Sequence, residues 1–281
     1  MRRTEQNFQQ YFSDNGLAPY WPAFSNWLRP CVRIKYQPTK DDEVSLGKSK
    51  LGGFPDLPQK ADWATFDNIP LSFLAQINLT ELPDFDLRNS LPKNGLLSFF
   101  FSLENDAYEL SPHKVLFSDA SATLERKRLP NNWSNSEIIY QTGHVTSIEP
   151  EQSLPSGETE YVLEVFKKDP KGRMAYWTFV EPDNSKETTN RMFGYPHHSD
   201  DRLELICECI YTGDKELTQL KAFTETQQKE IRDKWLLLLQ LDSNTDLHMY
   251  MGVDLDCFYF WITKDDLANQ DFSKTVAFSV H

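Results

Sequence analysis

The 281-residue chain is poor in glycine, with 11, and has only four cysteines, Cys31, Cys207, Cys209 and Cys257. Four thiols so scattered cannot frame a disulfide-stapled fold of this length, and their sparse use points to a reducing compartment. No segment approaches the roughly 18 apolar residues that a membrane-spanning helix needs. The longest apolar runs, residues 95–101 and 235–239, have the length of strands. The opening residues 1–16 are charged but lack the apolar stretch of a secretory signal, so a cytoplasmic location is expected.

Positive charge is also scarce. Against 42 acidic residues stand 29 basic ones, a net charge of −13. The imbalance is uneven: residues 1–50 are net +3, residues 51–150 net −6 and residues 151–281 net −10. A nucleic-acid binder needs a basic footprint to displace counterions from phosphates, so neither nucleic acid nor an anionic membrane is an expected partner. A basic partner protein, or none, fits better. Phosphate-cradling and nucleophile motifs are missing too: no G-x-x-x-x-G-K-[ST], G-x-G-x-x-G, G-x-S-x-G or H-E-x-x-H occurs.

Aromatic residues are abundant, at 13% of the chain, and bulky rings favour pleated surfaces. Alternation over residues 31–36 predicts a strand with Val32, Ile34 and Tyr36 inward. Further strands are expected over residues 71–79, 96–101, 114–117, 137–141, 161–166, 176–180, 256–262 and 272–278. Residues 4–13 predict a short helix capped by Thr4 and ended by Asn15-Gly16. Apolar spacing over residues 214–239 predicts the one long helix, with a restart at Thr224-Glu225-Thr226. Residues 150–160 read as a linker, and residues 263–267 as a turn.

Three blocks recur in the same order. In the first half they are Gly52-Gly53-Phe54-Pro55, Leu74-Ala75-Gln76-Ile77-Asn78-Leu79 and Gly95-Leu96-Leu97-Ser98-Phe99-Phe100-Phe101. In the second they are Phe193-Gly194-Tyr195-Pro196, Leu238-Leu239-Gln240-Leu241-Asp242-Ser243 and Asp256-Cys257-Phe258-Tyr259-Phe260-Trp261. Gly-aromatic-Pro suits a tight turn, and a glutamine inside an apolar strand must have its amide satisfied locally. The expected architecture is therefore α+β and strand-rich, a single unit over residues 1–281. It would comprise two degenerate pseudo-repeats, 30–149 and 161–281, with antiparallel sheets and one longer helix in the second half.

Lys50-Leu51-Gly52-Gly53-Phe54-Pro55-x-x-Pro58, Leu71–Leu79 in the block above and Leu91-Pro92-x-x-Gly95-x-Leu97-x-Phe99-Phe100 resemble the YwqG-like family, a bacterial group of unknown function. The second-half blocks fit the same pattern, except that Asp254-Leu255-Asp256 stands where a glycine is usual. The resemblance implies a mixed, strand-rich fold and a cytoplasmic bacterial protein. It transfers no activity and no catalytic residues. It also suggests an immunity or interaction role, because some relatives resemble proteins encoded near toxin systems.

The candidate binding residues are Gln76, Asn78, Gln240, Asp242, His197, His198 and Lys50. The two glutamine blocks could line a cleft shared by the halves, or hold turns together. His197-His198-Ser199-Asp200-Asp201 is the densest set of possible ligands, but adjacent extended histidines point apart. The lysines of Lys48-Ser49-Lys50 could meet an anion. Cys207-Glu208-Cys209, read on a strand, suggests buried structural thiols rather than a metal pair. No metal and no cofactor is expected. The favoured function is a non-enzymatic interaction protein, with toxin immunity as one form of it. The alternative is a small-molecule- or metal-binding protein, or an enzyme, with its site between the halves.

Overall fold

A computed structural model of the chain describes residues 3–102, 112–129, 139–180, 189–197, 200, 202–214, 216–249 and 257–280. The strands are β1 (Arg29–Thr39), β2 (Lys50–Leu51), β3 (Asp56–Pro58), β4 (Thr65–Phe66), β5 (Ile69–Pro70), β6 (Ser72–Asn78), β7 (Leu96–Phe101), β8 (His113–Ser118), β9 (Leu124–Arg126), β10 (Thr142–Ser153), β11 (Arg191–Phe193), β12 (Trp235–Asp242), β13 (Cys257–Thr263) and β14 (Val276–Val280). The helices are α1 (Glu5–Asp14), α2 (Trp21–Ser25), α3 (Glu160–Val165), α4 (Pro170–Val180), α5 (Leu203–Tyr211), α6 (Glu225–Lys234) and α7 (Lys264–Ala268). No helix among the described residues is long and apolar enough to cross a membrane.

Ten strands form one antiparallel sheet in the order β14-β13-β12-β11-β1-β10-β2-β6-β7-β8. The long pair β1 and β10 lies at its centre, with Ile34 opposite Ile148. The sheet curls into a nearly closed barrel. Where its ends approach, Nε2 of His113 lies 2.9 Å from the Thr275 carbonyl, and the Phe117 and Phe272 rings stand 5.8 Å apart.

Alternation along each strand sends one side chain in two to the barrel interior. Val32, Ile34, Ala75, Ile77, Leu97, Phe99, Leu239, Leu241, Phe258 and Phe260 share that core. Rings from β7 and β13 meet across it, Phe99 with Phe260 at 5.2 Å and Phe101 with Phe258 at 4.8 Å. Three smaller clusters cover the outside. Helices α5 and α6 close over Trp235, Leu237, Tyr259 and Trp261. Leu57, Trp63 and Leu71 cover Phe73 and Phe100. Helices α1 to α4 form a layer of their own around Phe12, Phe24, Phe166 and Tyr176.

Local signals explain the elements that match expectation. The Thr4 side chain caps α1 by accepting from the Asn7 N–H, and Phe8 and Phe12, one turn apart, are buried. Mixed helix and antiparallel strand is the architecture observed.

Several expectations fail, for identifiable reasons. Residues 161–165 and 176–180 are helical, not extended, because Val162 and the C-cap Phe166, and Tyr176 and Val180, bury at helical spacing against α1 and α2. The long helix over 214–239 does not exist. A 3-10 turn (Thr218–Lys221) precedes α6, which starts at a Thr224–Gln227 capping box and stops where the apolar run from Trp235 enters the sheet as β12. Packing of Leu237 and Leu238 on opposite faces overrides the helical period.

The supposed linker 150–160 is structural: β10 continues to Ser153, and residues 154–157 are buried. Cys207 and Cys209 sit on helix α5, where both are buried. Thr263 does not begin a turn but caps α7. Of the strand expected over 137–141, residues 137 and 138 lie outside the described residues, and β10 begins only at Thr142.

Gly53 and Gly194 both have positive φ, +70° and +78°. A Cβ on Gly53 would collide with Thr142 Oγ1 and Asp41 Oδ1. One on Gly194 would lie 2.8 Å from Cys31 Cβ and 2.5 Å from Ser153 Oγ. Gly194→Ala therefore carries both a left-handed backbone penalty and a steric one, for an expected loss of about 3 kcal/mol in urea unfolding. A loss under about 0.5 kcal/mol, the scale of a neutral surface change, would refute that account of the turn.

Candidate functional site

Gln76 sits between inward Ala75 and Ile77, so its side chain takes the outer face of the sheet, as Gln240 does between Leu239 and Leu241. Both are fully buried. A buried primary amide must find partners for its acceptor and donors, and both glutamines find them in neighbouring backbone. Gln76 Oε1 accepts the Asp56 N–H at 2.9 Å, while its Nε2 donates to the Lys48 carbonyl and to Asp56 Oδ2. Gln240 Oε1 accepts the His197 N–H at 2.9 Å, while its Nε2 donates to the Thr189 carbonyl and hydroxyl.

The residues two further along repeat the pattern. The Asn78 N–H donates to Ser49 Oγ, and the Asp242 N–H to Asn190 Oδ1. Lys50 Nζ donates to the Phe54 carbonyl, and Arg191 Nη1 to the Tyr195 carbonyl. Each glutamine strand has a register shift just before the amide, between Phe73 and Ala75 and between Leu237 and Leu239.

The cation under the first turn sits in a charged network that sequence reasoning missed. Lys50 is fully buried, 3.0 Å from Asp41 Oδ1 and 3.8 Å from the equally buried Asp56. Arg126 joins both carboxylates, at 2.8 Å to Asp56 and 3.4 Å to Asp41. Burial opposes ionisation of Asp41, but the Lys50 ammonium, the Phe54 N–H and Arg126 outweigh it and hold the carboxyl below its usual range. Two cations and two anions so interlocked leave Lys50 as a structural charge. Asp56 directly follows the Gly-Gly-Phe-Pro block, and that adjacency was the one signal that could have marked it.

The other candidates are equally occupied. Asn78 donates to the Gly47 carbonyl and accepts from Thr80. Asp242 accepts from the Thr189 N–H and hydroxyl, and the Cys257 thiol lies 3.6 Å away. The backbone N–H of His197 belongs to the Gln240 knot, and His198 lies outside the described residues. Gln76 and Gln240 stand on strands five places apart in the sheet order, and they are not brought together. Among the described residues, no three of His, Cys, Asp and Glu gather as a metal site.

A different surface concentrates exposed chemistry. Tyr211, at the end of α5, is 39% exposed, and its hydroxyl donates to Asp266 Oδ2 at 3.0 Å. Glu208, one turn earlier, binds Lys234 Nζ at 2.7 Å and Trp235 Nε1 at 2.9 Å. Partial burial raises the Tyr211 pKa, and so do the hydrogen bond to Asp266 and the charges of Asp266, Glu208 and Asp271. A partly exposed ring thus stands beside Asp266, with the Lys234 ammonium of the Glu208 pair 5.0 Å over its face, on the more acidic half of the chain.

Residues 49–279 match a family described as a domain of unknown function, DUF1963. The chain belongs to the DUF1963 family. The DUF1963 match begins at the buried Ser49 beside β2 and runs into β14, so it takes in both glutamine knots and the Tyr211 face. Central strand β1 and helices α1 and α2 lie before the DUF1963 segment, although β1 pairs along its length with β10 inside it. No curated protein matches the chain.

Proposed function

We propose that this DUF1963 protein is a cytoplasmic binding protein without a reaction of its own, docking a basic partner protein on the acidic face around Tyr211. The observation that carries this reading is the exposed Tyr211 ring, which hydrogen-bonds Asp266 and feels the negative charge of Glu208 and Asp271. Tyrosine is a favoured anchor in protein interfaces, and a carboxylate rim steers a cationic partner. The net charge of −13 works in the same direction at longer range. A basic toxin is one such partner, in keeping with the YwqG-like resemblance, and membership of that narrower group is part of the same proposal.

The competing reading, a ligand or metal site between the halves, needs an open polar junction. Phe99, Phe101, Phe258 and Phe260 occupy that space, and both glutamines spend their polar atoms on their own turns.

The same proposal takes the halves as two copies of one module, with β1 completing the second copy and β10 the first. Matching hydrogen bonds at Gln76 and Gln240, matching register shifts and the mirrored strand order support it.

The test uses a labelled 12-residue peptide of alternating arginine and leucine, titrated by fluorescence anisotropy. Wild type should bind it, and D266K/D271K should weaken binding about tenfold, the size expected from a few rim charges. Absence of binding, or equal binding by the double variant, would overturn the reading.

A further inference from the structure

Helices α1 and α4 run antiparallel, and the surfaces at the two ends of the pair differ in charge. Arg3 Nη2 donates to the Val180 carbonyl, Tyr11 stacks on Phe179 at 3.8 Å, and the Tyr11 hydroxyl donates to the Ala175 carbonyl. At the far end the Tyr20 hydroxyl donates to Asp169. The start of α1 therefore lies beside the end of α4, and the end of α1 beside its start.

The end at the start of α4 is basic. Lys167, Lys168, Lys171 and Arg173 are all exposed there, with Lys167 paired to the exposed Glu164 at 3.2 Å, and Asp14 stands at the neighbouring end of α1. The nearby Asp169 is used by Tyr20 and by the Gly172 N–H. The opposite end is acidic. A groove of about 300 Å³ opens there, and exposed Glu5, Asp84 and Asp86 line it around Phe85, with Glu151 and the cation Arg3. Between the two ends, Met174 is 60% exposed and Trp177 37%. From Lys171 to Val180 the helix rises about 14 Å, more than one Debye length at physiological salt, so the two ends act as separate charges.

A strip that is basic at one end, apolar in the middle and acidic at the other complements itself when rotated by half a turn. We propose that a second copy of this chain docks on the α1–α4 strip about a twofold axis near Trp177. Each copy would set Lys171 and Arg173 against the Asp84 and Asp86 of the other. An isologous contact of this kind closes at two subunits and leaves no free end for further growth. Met174 and Trp177 supply the desolvated centre, and the charges form the rim. The charge reversal favours this occupant: residues 167–173 are net positive on a chain of net charge −13, and the groove beside the start of α1 is net negative. The contact is independent of the Tyr211 face.

Sedimentation velocity on the full chain at about 50 mM and 500 mM salt tests it, since a contact held by rim charges weakens as salt screens them. Wild type should be a dimer in low salt and shift toward monomer in high salt. K171E/R173E and D84K/D86K should each raise the dimer dissociation constant at least about tenfold, because attraction becomes repulsion at two rim pairs. The quadruple variant, with the charges exchanged, should recover the dimer, and that recovery guards against a variant that merely misfolds. W177S should weaken the dimer in both salts. A wild type that stays monomeric throughout, a dimer indifferent to either reversal, or a monomer that binds anionic phosphatidylserine vesicles through Lys171 would each overturn the proposal.

Discussion

Asp56→Ala should lower the stability of the fold by about 3–5 kcal/mol, the usual result of removing one partner from a buried ion pair. Asp56 has no solvent exposure. It stands 3.8 Å from Lys50 and 2.8 Å from Arg126, and it also accepts a hydrogen bond from Gln76. Its loss leaves a buried ammonium with Asp41 and the Phe54 carbonyl, and frees one donor of a buried amide. Urea unfolding measures the change through the midpoint, with the slope unchanged if the unfolded state is unaffected.

The same network sets an acid limit. Asp41 is ionised in the fold at pH values where its unfolded counterpart would begin to protonate, so its contribution is complete above about pH 4. It is lost as the pH falls through the lowered folded value. In the Asp41→Asn variant, the acid side of the stability profile should flatten.

Phe260→Ala should cost about 3–5 kcal/mol, the range for deleting a buried aromatic ring. The Phe260 ring lies 5.2 Å from Phe99 and 6.0 Å from Phe101, both contributed by the other half of the sheet. The loss should therefore appear in one cooperative transition rather than in a second-half step alone. Tryptophan fluorescence and far-ultraviolet circular dichroism, followed in the same titration, would separate these outcomes.

The strands that carry this core were legible because their apolar residues are both alternating and dense. Residues 96–101 and 256–262 read as strands, and β7 and β13 occupy most of those spans. Residues 161–166 and 176–180 were not legible. A short run such as Tyr161-Val162-Leu163 is rich in strand-favouring side chains, and only contact with Phe12 and Phe24 from the first 28 residues decides for helix. At Trp235 the ambiguity ran the other way, and a continuous leucine run satisfied a helical period until the sheet claimed it.

The glutamines illustrate the limit for the site. Their burial and need for local partners followed from placing one amide in an apolar strand. That Asp56 and Arg126 would join the first of them did not follow, because Arg126 lies 70 residues from Asp56 in sequence and only the β3–β9 pairing brings them together. Tyr211 carried no signal of its own. Its setting arises from α5 and α7 meeting over the sheet, a contact between residues 55 apart.

A double-mutant cycle between Phe99 and Phe260 bears most directly on the claim that the space between the halves is packed solid and leaves recognition to the outer surface. The two single alanine variants and the double variant should show a coupling of about 0.5–1.5 kcal/mol, as expected for an edge-to-face ring pair, within a single unfolding transition. Strictly additive losses with two separate transitions would mean that the halves do not share a core.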